Sequence, residues 1–403
     1  SATDLLPHFL LGIMKSLGVK KLLIWFSVKN KAVIYGTQSF GARPECSVLQ
    51  WVFLGGALRY EWRIPRKSFD VRLILKRALL SSSWVSGALA LLSRNHCRIF
   101  MYHRFSDSLL AGKTDSSTFA SQLDEIKLHF QVVGLRDFFE QWRAGRTNWY
   151  RTCVITVDDG YKDFHRVAFP LLRDRGLPAT VFIATDFVGE GKWLWWDAIR
   201  YLVERTTVAY ETLEHGDTKL ELACSTSAMK EDRVTRVVDF CARVSHSELW
   251  LLIRRLESKL NLSLPSRASD EYAPCSVNEL YAMAAHGISF GAHTLNHPIL
   301  TTCKEAEWQN QIMRSYEELR SWIKQDGPVF AYPNGTTRDY DRAMMKFLEA
   351  QGFHGAVVAH YDCFRTEGPF SMRRCSASED QNEFRWTLWG GEYLTTRLKE
   401  LLS

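Results

Sequence analysis

From residue 97 onward the apolar positions of this chain switch repeatedly between two spacings. Short, mostly apolar runs recur at Cys97–His103, Gln131–Val133, Cys153–Val157, Ala179–Ala184, Ile288–Phe290, Val329–Tyr332 and Ala356–Ala359. Between them, apolar residues return every three or four positions. Phe119, Leu123, Ile126 and Phe130 do so within Ser117–Phe130, and Trp308, Ile312, Tyr316, Leu319 and Ile323 after Thr302–Glu305, which has the form of a capping box. Leu135–Arg143, Tyr161–Arg175 and Arg342–Ala350 also read as helices. The first kind of run predicts strands buried on both faces, the second helices with one apolar face. Their alternation predicts parallel strands with helices outside. An α/β barrel and a doubly wound sheet both satisfy it.

Three stretches depart from this rhythm. Residues 1–95 hold short apolar runs and a basic amphipathic segment, Phe69–Leu92, with Leu73, Leu75, Leu79 and Leu80 set between Arg72, Lys76 and Arg77. A helix is expected there, packed against the domain beyond residue 95 or lying on a membrane surface. The runs Leu5–Met14 and Leu22–Val28 are too short to span a bilayer, so any membrane contact is expected to be peripheral. Residues 189–275 open with Trp193-Leu194-Trp195-Trp196-Asp197 and continue as charged helical sequence to about Leu260. They are expected to form a mostly helical insertion beside the site, with Trp195 and Trp196 as candidate sugar-stacking residues or as core. Residues 386–403 are expected to form a closing tail. The expected layout is an extension (1–95), a catalytic domain (96–385) and that tail.

Composition narrows the function classes. The chain has 403 residues, 46% hydrophobic and 24% charged, as globular proteins do. A net charge of +6 is mild, and no basic run is interleaved with aromatics, so nucleic-acid binding is not expected. The nine cysteines are irregularly spaced with no Cys-x-x-Cys, and no signal peptide is apparent. Both point to a reducing, cytoplasmic setting, with membrane association left open by the extension.

The candidate chemistry sits at two strand ends. Thr156-Val157-Asp158-Asp159-Gly160 follows one apolar run, and Gly291-Ala292-His293-Thr294-Leu295-Asn296-His297 follows another. Asp-Asp-Gly alone is ordinary turn chemistry. Yet two adjacent carboxylates at a buried strand end repel each other, and a cation or proton between them relieves the cost. Histidines four apart share a side if the segment forms one helical turn. Two imidazoles and a carboxylate with room for water make the ligand set of a catalytic zinc-type site.

These two motifs, in this order, resemble those of the polysaccharide deacetylases of carbohydrate esterase family 4, the NodB homology domain. The resemblance covers roughly residues 97–380. It implies a distorted, incomplete (β/α) barrel with its site at the carboxyl ends of the strands. It implies Asp159, His293 and His297 as ligands of one divalent metal (zinc, with cobalt, nickel or manganese fitting as well) and Asp158 as the base. The turn Pro333-Asn334-Gly335 is the candidate source of an oxyanion-binding N–H, with Tyr332 and Asn334 as candidate substrate residues. Two family pieces lack a clear counterpart. Ala331 stands where the pattern Arg-x-Pro-Tyr has the arginine that orients the base, leaving Arg373 or Arg374 to substitute. The late Leu-x-His motif is missing, leaving His103 and His360 as candidate acids. The function implied is removal of an acyl group, N-acetyl above all, from a polysaccharide or lipid-linked sugar. A metal-containing glycan-binding protein that has lost catalysis, or an amidase acting on a small non-sugar substrate, are the alternatives.

Overall fold

The computed structural model describes residues 26–28, 31–33, 80, 82–216, 218–223, 227–268, 270–324, 327–360 and 368–402. The chain divides into two compact units, Ser1–Ser68 and Phe69–Ser403. In the first, Phe26–Val28 and Lys31–Val33 pair as an antiparallel hairpin. The run Leu5–Met14 and the amphipathic segment before Leu80 lie outside the described residues. Among the described residues no helix is long and apolar enough to cross a membrane.

The second unit is built on a nine-stranded sheet. Its strands are β1 (Arg98–Tyr102), β2 (Gln131–Val132), β3 (Thr152–Val157), β4 (Ala179–Ile183), β5 (Ile288–Ala292), β6 (Val329–Ala331), β7 (Gly355–Val358), β8 (Met372–Arg373) and β9 (Cys375–Ser376). All pair in parallel, in the order β8-β7-β6-β5-β4-β3-β1-β9, with β2 beside the start of β3. The two ends of this order are one piece of chain. Met372–Arg373 pairs with β7, Cys375–Ser376 pairs with β1, and Arg374 alone separates them. That closing run turns the sheet into a nearly closed (β/α) barrel, the fold the two motifs imply. β1, β3, β4 and β7 are buried at every position, as strands covered on both faces must be.

Helices α1 (Ser83–Leu92), α2 (Ser116–His129), α3 (Leu135–Arg143) and α4 (Phe169–Arg175) precede β4. α4 is entered through a widened π turn, Phe164–Ala168, just ahead of Pro170, whose missing N–H cannot continue an ordinary helical ladder. Between β4 and β5 come α5 (Thr185–Glu190), α6 (Trp195–Arg205), α7 (Ser227–Cys241), α8 (His246–Lys259) and α9 (Val277–Ala284). The purely helical expectation for this stretch is incomplete. Tyr210–His215 and Thr218–Ala223 form an antiparallel hairpin inside it. α10 (Glu305–Trp322), α11 (Arg342–Ala350), α12 (Gln381–Leu388) and α13 (Gly391–Leu402) finish the chain.

The foot of the barrel is held by a buried arginine. Arg98, 1% exposed, donates to the carbonyls of Ser93 and His96 after α1 and of Leu388 and Trp389 at the end of α12. A guanidinium among carbonyls at helix C-termini satisfies acceptors that would otherwise be orphaned.

Candidate active site

The first motif leaves β3 at the barrel's carboxyl end, and backbone bonds fix its path. The N–H of Asp158 donates to Tyr102 at the end of β1, and that of Ala184, after β4, donates to Asp159. Asp159 and Gly160 both have positive φ, 78° and 89°. The positive φ calls for glycine at 160, where a Cβ would also crowd the tip of the Ile183 side chain at 2.9 Å.

The second motif follows β5, and here one expectation fails. His293 and His297 do not lie on a helical turn. The segment is a tight turn with Thr294 at φ 67° and His297 at φ 57°. The Thr294 hydroxyl accepts the His297 N–H at 3.1 Å, and Gln311 of α10 accepts the N–H of Leu295. Strained φ values at Asp159, Thr294, His297 and Asn334 are gathered at this end of the barrel.

The two turns bring Asp159, His293 and His297 together, with ligand atoms all within 4.8 Å of one another and all three residues buried. Nε2 of His293 and Nε2 of His297 stand 3.5 and 3.6 Å from one Asp159 oxygen. Nδ1 of His293 donates to the Ala331 carbonyl at 2.7 Å, which leaves its Nε2 lone pair facing the cluster. Oδ1 of Asp159 is buried with no hydrogen-bond partner. An orphaned carboxylate oxygen facing two imidazoles is costly unless a cation sits there, and the donor set suits a divalent metal. The electrostatics agree. Burial pushes His297 down to about 3, helped by the neighbouring His293, so its imidazole is neutral. Burial opposes charge on Asp159 and His293 as well, but their mutual attraction prevails, lowering the carboxyl and raising the imidazole.

Asp158 faces a different partner. Arg374 grips it with two bonds, Nη1 to Oδ1 at 2.6 Å and Nη2 to Oδ2 at 2.7 Å. Arg374 is 1% exposed and also donates to the Val358 carbonyl and the Thr156 hydroxyl. Burial works against the Asp158 charge, yet the guanidinium outweighs it and holds the carboxyl well below the usual carboxylate range. Of the two candidate arginines the structure brings only Arg374 to Asp158. Arg373 is buried near His96, toward the foot of the barrel.

The cluster opens into a cavity of about 570 Å³. His103, Tyr332 and Asn334 line it. Nε2 of His103 is 3.7 Å from Asp158 on a half-exposed side chain. The Tyr332 hydroxyl is spent on the Phe370 carbonyl, so only the rest of the residue faces the space. Three candidates fall elsewhere or divide. His360 is bonded to the Tyr340 hydroxyl and does not line the cavity. Trp195 is buried, its indole N–H on the His297 carbonyl, and is a support of the turn. Trp196 does line the cavity, its ring edge-on to His297 at 4.4 Å. The cavity also holds Tyr161, Asp197 and Arg104, none of which the motifs single out. Tyr161 follows Asp-Asp-Gly directly and Asp197 follows the tryptophan pair, and that adjacency was the available signal.

The family model for polysaccharide deacetylase matches residues 146–246 and 264–355. No curated protein matches the chain. Solved structures similar to it include the Streptococcus pyogenes deacetylase PplD in complex with acetate and IcaB from Ammonifex degensii. Each is 16% identical with a TM-score of 0.49, covering 73% of this chain and 97% of that one. A polysaccharide deacetylase from Bacillus cereus is 17% identical with a TM-score of 0.44, covering 73% of this chain and 68% of its own. The family match spans both motifs and the turns that carry them: the chain belongs to the polysaccharide deacetylase family.

Proposed function

We propose that this protein hydrolyses the N-acyl group, acetyl in the first instance, from an amino sugar of a polysaccharide or lipid-linked glycan. One observation carries the reading. A buried carboxylate–imidazole–imidazole cluster and a second carboxylate locked by an arginine open into the same cavity. A protein that only binds glycan has no use for the second carboxylate.

Asp159, His293 and His297 are the residues that would hold a divalent metal, with zinc the first choice for two nitrogens and one oxygen. Such an ion supplies Lewis acidity, polarising an acyl carbonyl and acidifying water. Asp158 accepts the proton of the attacking water. Arg374 keeps it anionic and fixes both of its oxygens, so the acceptor is aimed before substrate arrives. A backbone N–H of the turn Pro333-Asn334-Gly335, whose Asn334 lines the cavity, is the donor we assign to the developing oxyanion. His103 is the residue positioned to hand a proton to the leaving amine. Trp196 offers an aromatic edge to the sugar beside the ligand His297.

The test is release of acetate from N-acetylated chitooligosaccharides and from nucleotide- or lipid-linked N-acetyl sugars, with zinc, cobalt, nickel or manganese supplied. Release that stops on chelation and returns with metal is expected. Absence of release from every one of these substrates by metal-loaded protein would overturn the reading.

A further inference from the structure

The cavity holds a carboxyl that the hydrolytic reading does not use. Asp197, 4% exposed at the start of α6, lines it. One of its oxygens accepts the Tyr161 hydroxyl at 2.5 Å, and that hydroxyl in turn accepts the Trp196 indole N–H at 3.2 Å. The Asp197 carboxyl makes no other bond within the described residues. Lys113 lines the same cavity without a bond to this carboxyl among the described residues, and the two arginines near it are already committed. Arg104 pairs with Asp163 at 2.6 Å while lying 3.8 Å over the Tyr161 ring, and Arg200 pairs with Glu204 and Glu231.

A buried carboxyl with no ion partner is expensive. Burial pushes it up to about 7, with Asp159 adding to the rise against the Tyr161 bond and Arg104. Such a group can both accept and donate hydrogen bonds near neutrality. It stands in a wall continuous with the cluster: Tyr161 lies two residues after Asp159, and Trp196 packs on His297. Polar groups placed sparingly in a concave site fix a ligand's orientation. Sugar hydroxyls, each a donor and an acceptor, match this carboxyl better than a permanent cation, which would hold it fully ionised.

We propose that Asp197, oriented by Tyr161, binds ring hydroxyls of the N-acetylhexosamine whose acyl group lies at the Asp159–His293–His297 cluster, and thereby selects the substrate. The inference rests on the deacylase reading of the same cavity. Tyr161 is the positioning residue, and Trp196 sets its hydroxyl.

The experiment uses full-length, metal-replete protein and N-acetylated chitopentaose. Steady-state kinetics give kcat and KM for the wild type, Asp197→Asn and Tyr161→Phe. Calorimetry gives Kd for the same changes in an Asp158→Asn background. Asp197→Asn is expected to raise KM and Kd about 10-fold or more with kcat within about 3-fold, the pattern of a lost substrate contact. Tyr161→Phe should move both constants the same way by a smaller factor, and it decides the matter if Asp197→Asn does not fold. Unchanged KM and Kd in the folded variants would overturn the inference, as would a fall in kcat at unchanged Kd, or no binding of the pentaose by wild type. Binding that depends on Asp197 without acetate release would instead sink the deacylase reading and leave the recognition role standing. Acetate release with an Asp197-independent KM would do the reverse.

Discussion

At the scale of single residues the site turns on Arg374. Its guanidinium meets both Asp158 oxygens and is sealed from solvent, so the pair behaves as one unit. Arg374→Ala leaves Asp158 buried and unpaired, which costs about 3–5 kcal/mol of stability. Arg374→Lys keeps the charge but not the fork, so turnover should fall well before stability does. The pair also sets an acid limit. The Asp158 carboxyl titrates lower in the folded chain than its unfolded value near 4. Its contribution is therefore complete above about pH 4 and is lost as pH falls through the folded value. In Arg374→Lys the midpoint of acid unfolding should move to higher pH, and an unmoved midpoint would show that Asp158 gains nothing from the fork. This arginine was only half legible. Sequence offered Arg373 and Arg374 as equals, because which of two neighbours faces inward depends on how the closing strand seats at the seam. The histidine pair was legible in identity but not in mechanism. Their convergence comes from a turn held by the Thr294 hydroxyl and positive φ, not from helical spacing.

Elements carry their own lessons. The alternation of apolar runs and periodic stretches located the barrel strands and the helices around them, because strands covered on both faces leave an unmistakable apolar run. Local capping chemistry was less faithful. Thr302 does not cap α10. It sits in a short 3-10 turn, its hydroxyl bonded to Ile299, and Lys304 occupies the cap without a side-chain bond. The capping box that forms is Ser276 with Glu279 at α9. The hairpin at Tyr210–Ala223 was missed because its strands are charged and short of apolar residues, although Gly216-Asp217 between them is a two-residue turn signal. Two predictions belong here. Asp115 caps α2 through the N–H groups of Ser117 and Thr118, and hydrogen bonds from these residues lower it to about 2. Asp115→Ala should cost about 1 kcal/mol above pH 4, and the difference from wild type should vanish as pH falls through about 2. Urea unfolding at several pH values checks it. Gly335 has φ 58°, and a Cβ there would stand 2.7 Å from the Ala359 amide nitrogen. Gly335→Ala should cost at least about 1 kcal/mol and shift the turn that carries Asn334. Unchanged stability and activity would show that this turn has slack.

On the scale of the whole molecule, one closing run joins fold to chemistry. Met372–Ser376 completes the barrel between β7 and β1, and the single residue at the seam is Arg374. The carboxylates, the histidines and Asn334 come from the carboxyl ends of three different strands: Asp158 and Asp159 after β3, His293 and His297 after β5, Asn334 after β6. Sequence motifs fixed that end as the working face, while the cavity's outer wall, from α6 and the loops around it, became visible only in three dimensions. The cluster predicts a stability response. A metal that binds the folded chain alone adds RT ln(1 + [L]/Kd), so zinc should raise the melting temperature of the wild type and not of His293→Ala. An equal rise in both would place the bound ion elsewhere.

The central claim is that Asp158 takes a proton beside a metal held by Asp159, His293 and His297. It is tested most directly by measuring acetate release and bound metal on the same samples of wild type and Asp158→Asn. The account predicts equal metal content in both and turnover lower by about 10²–10⁴-fold in the variant. Equal, non-zero turnover in the two proteins, or loss of the metal on changing Asp158, would contradict it.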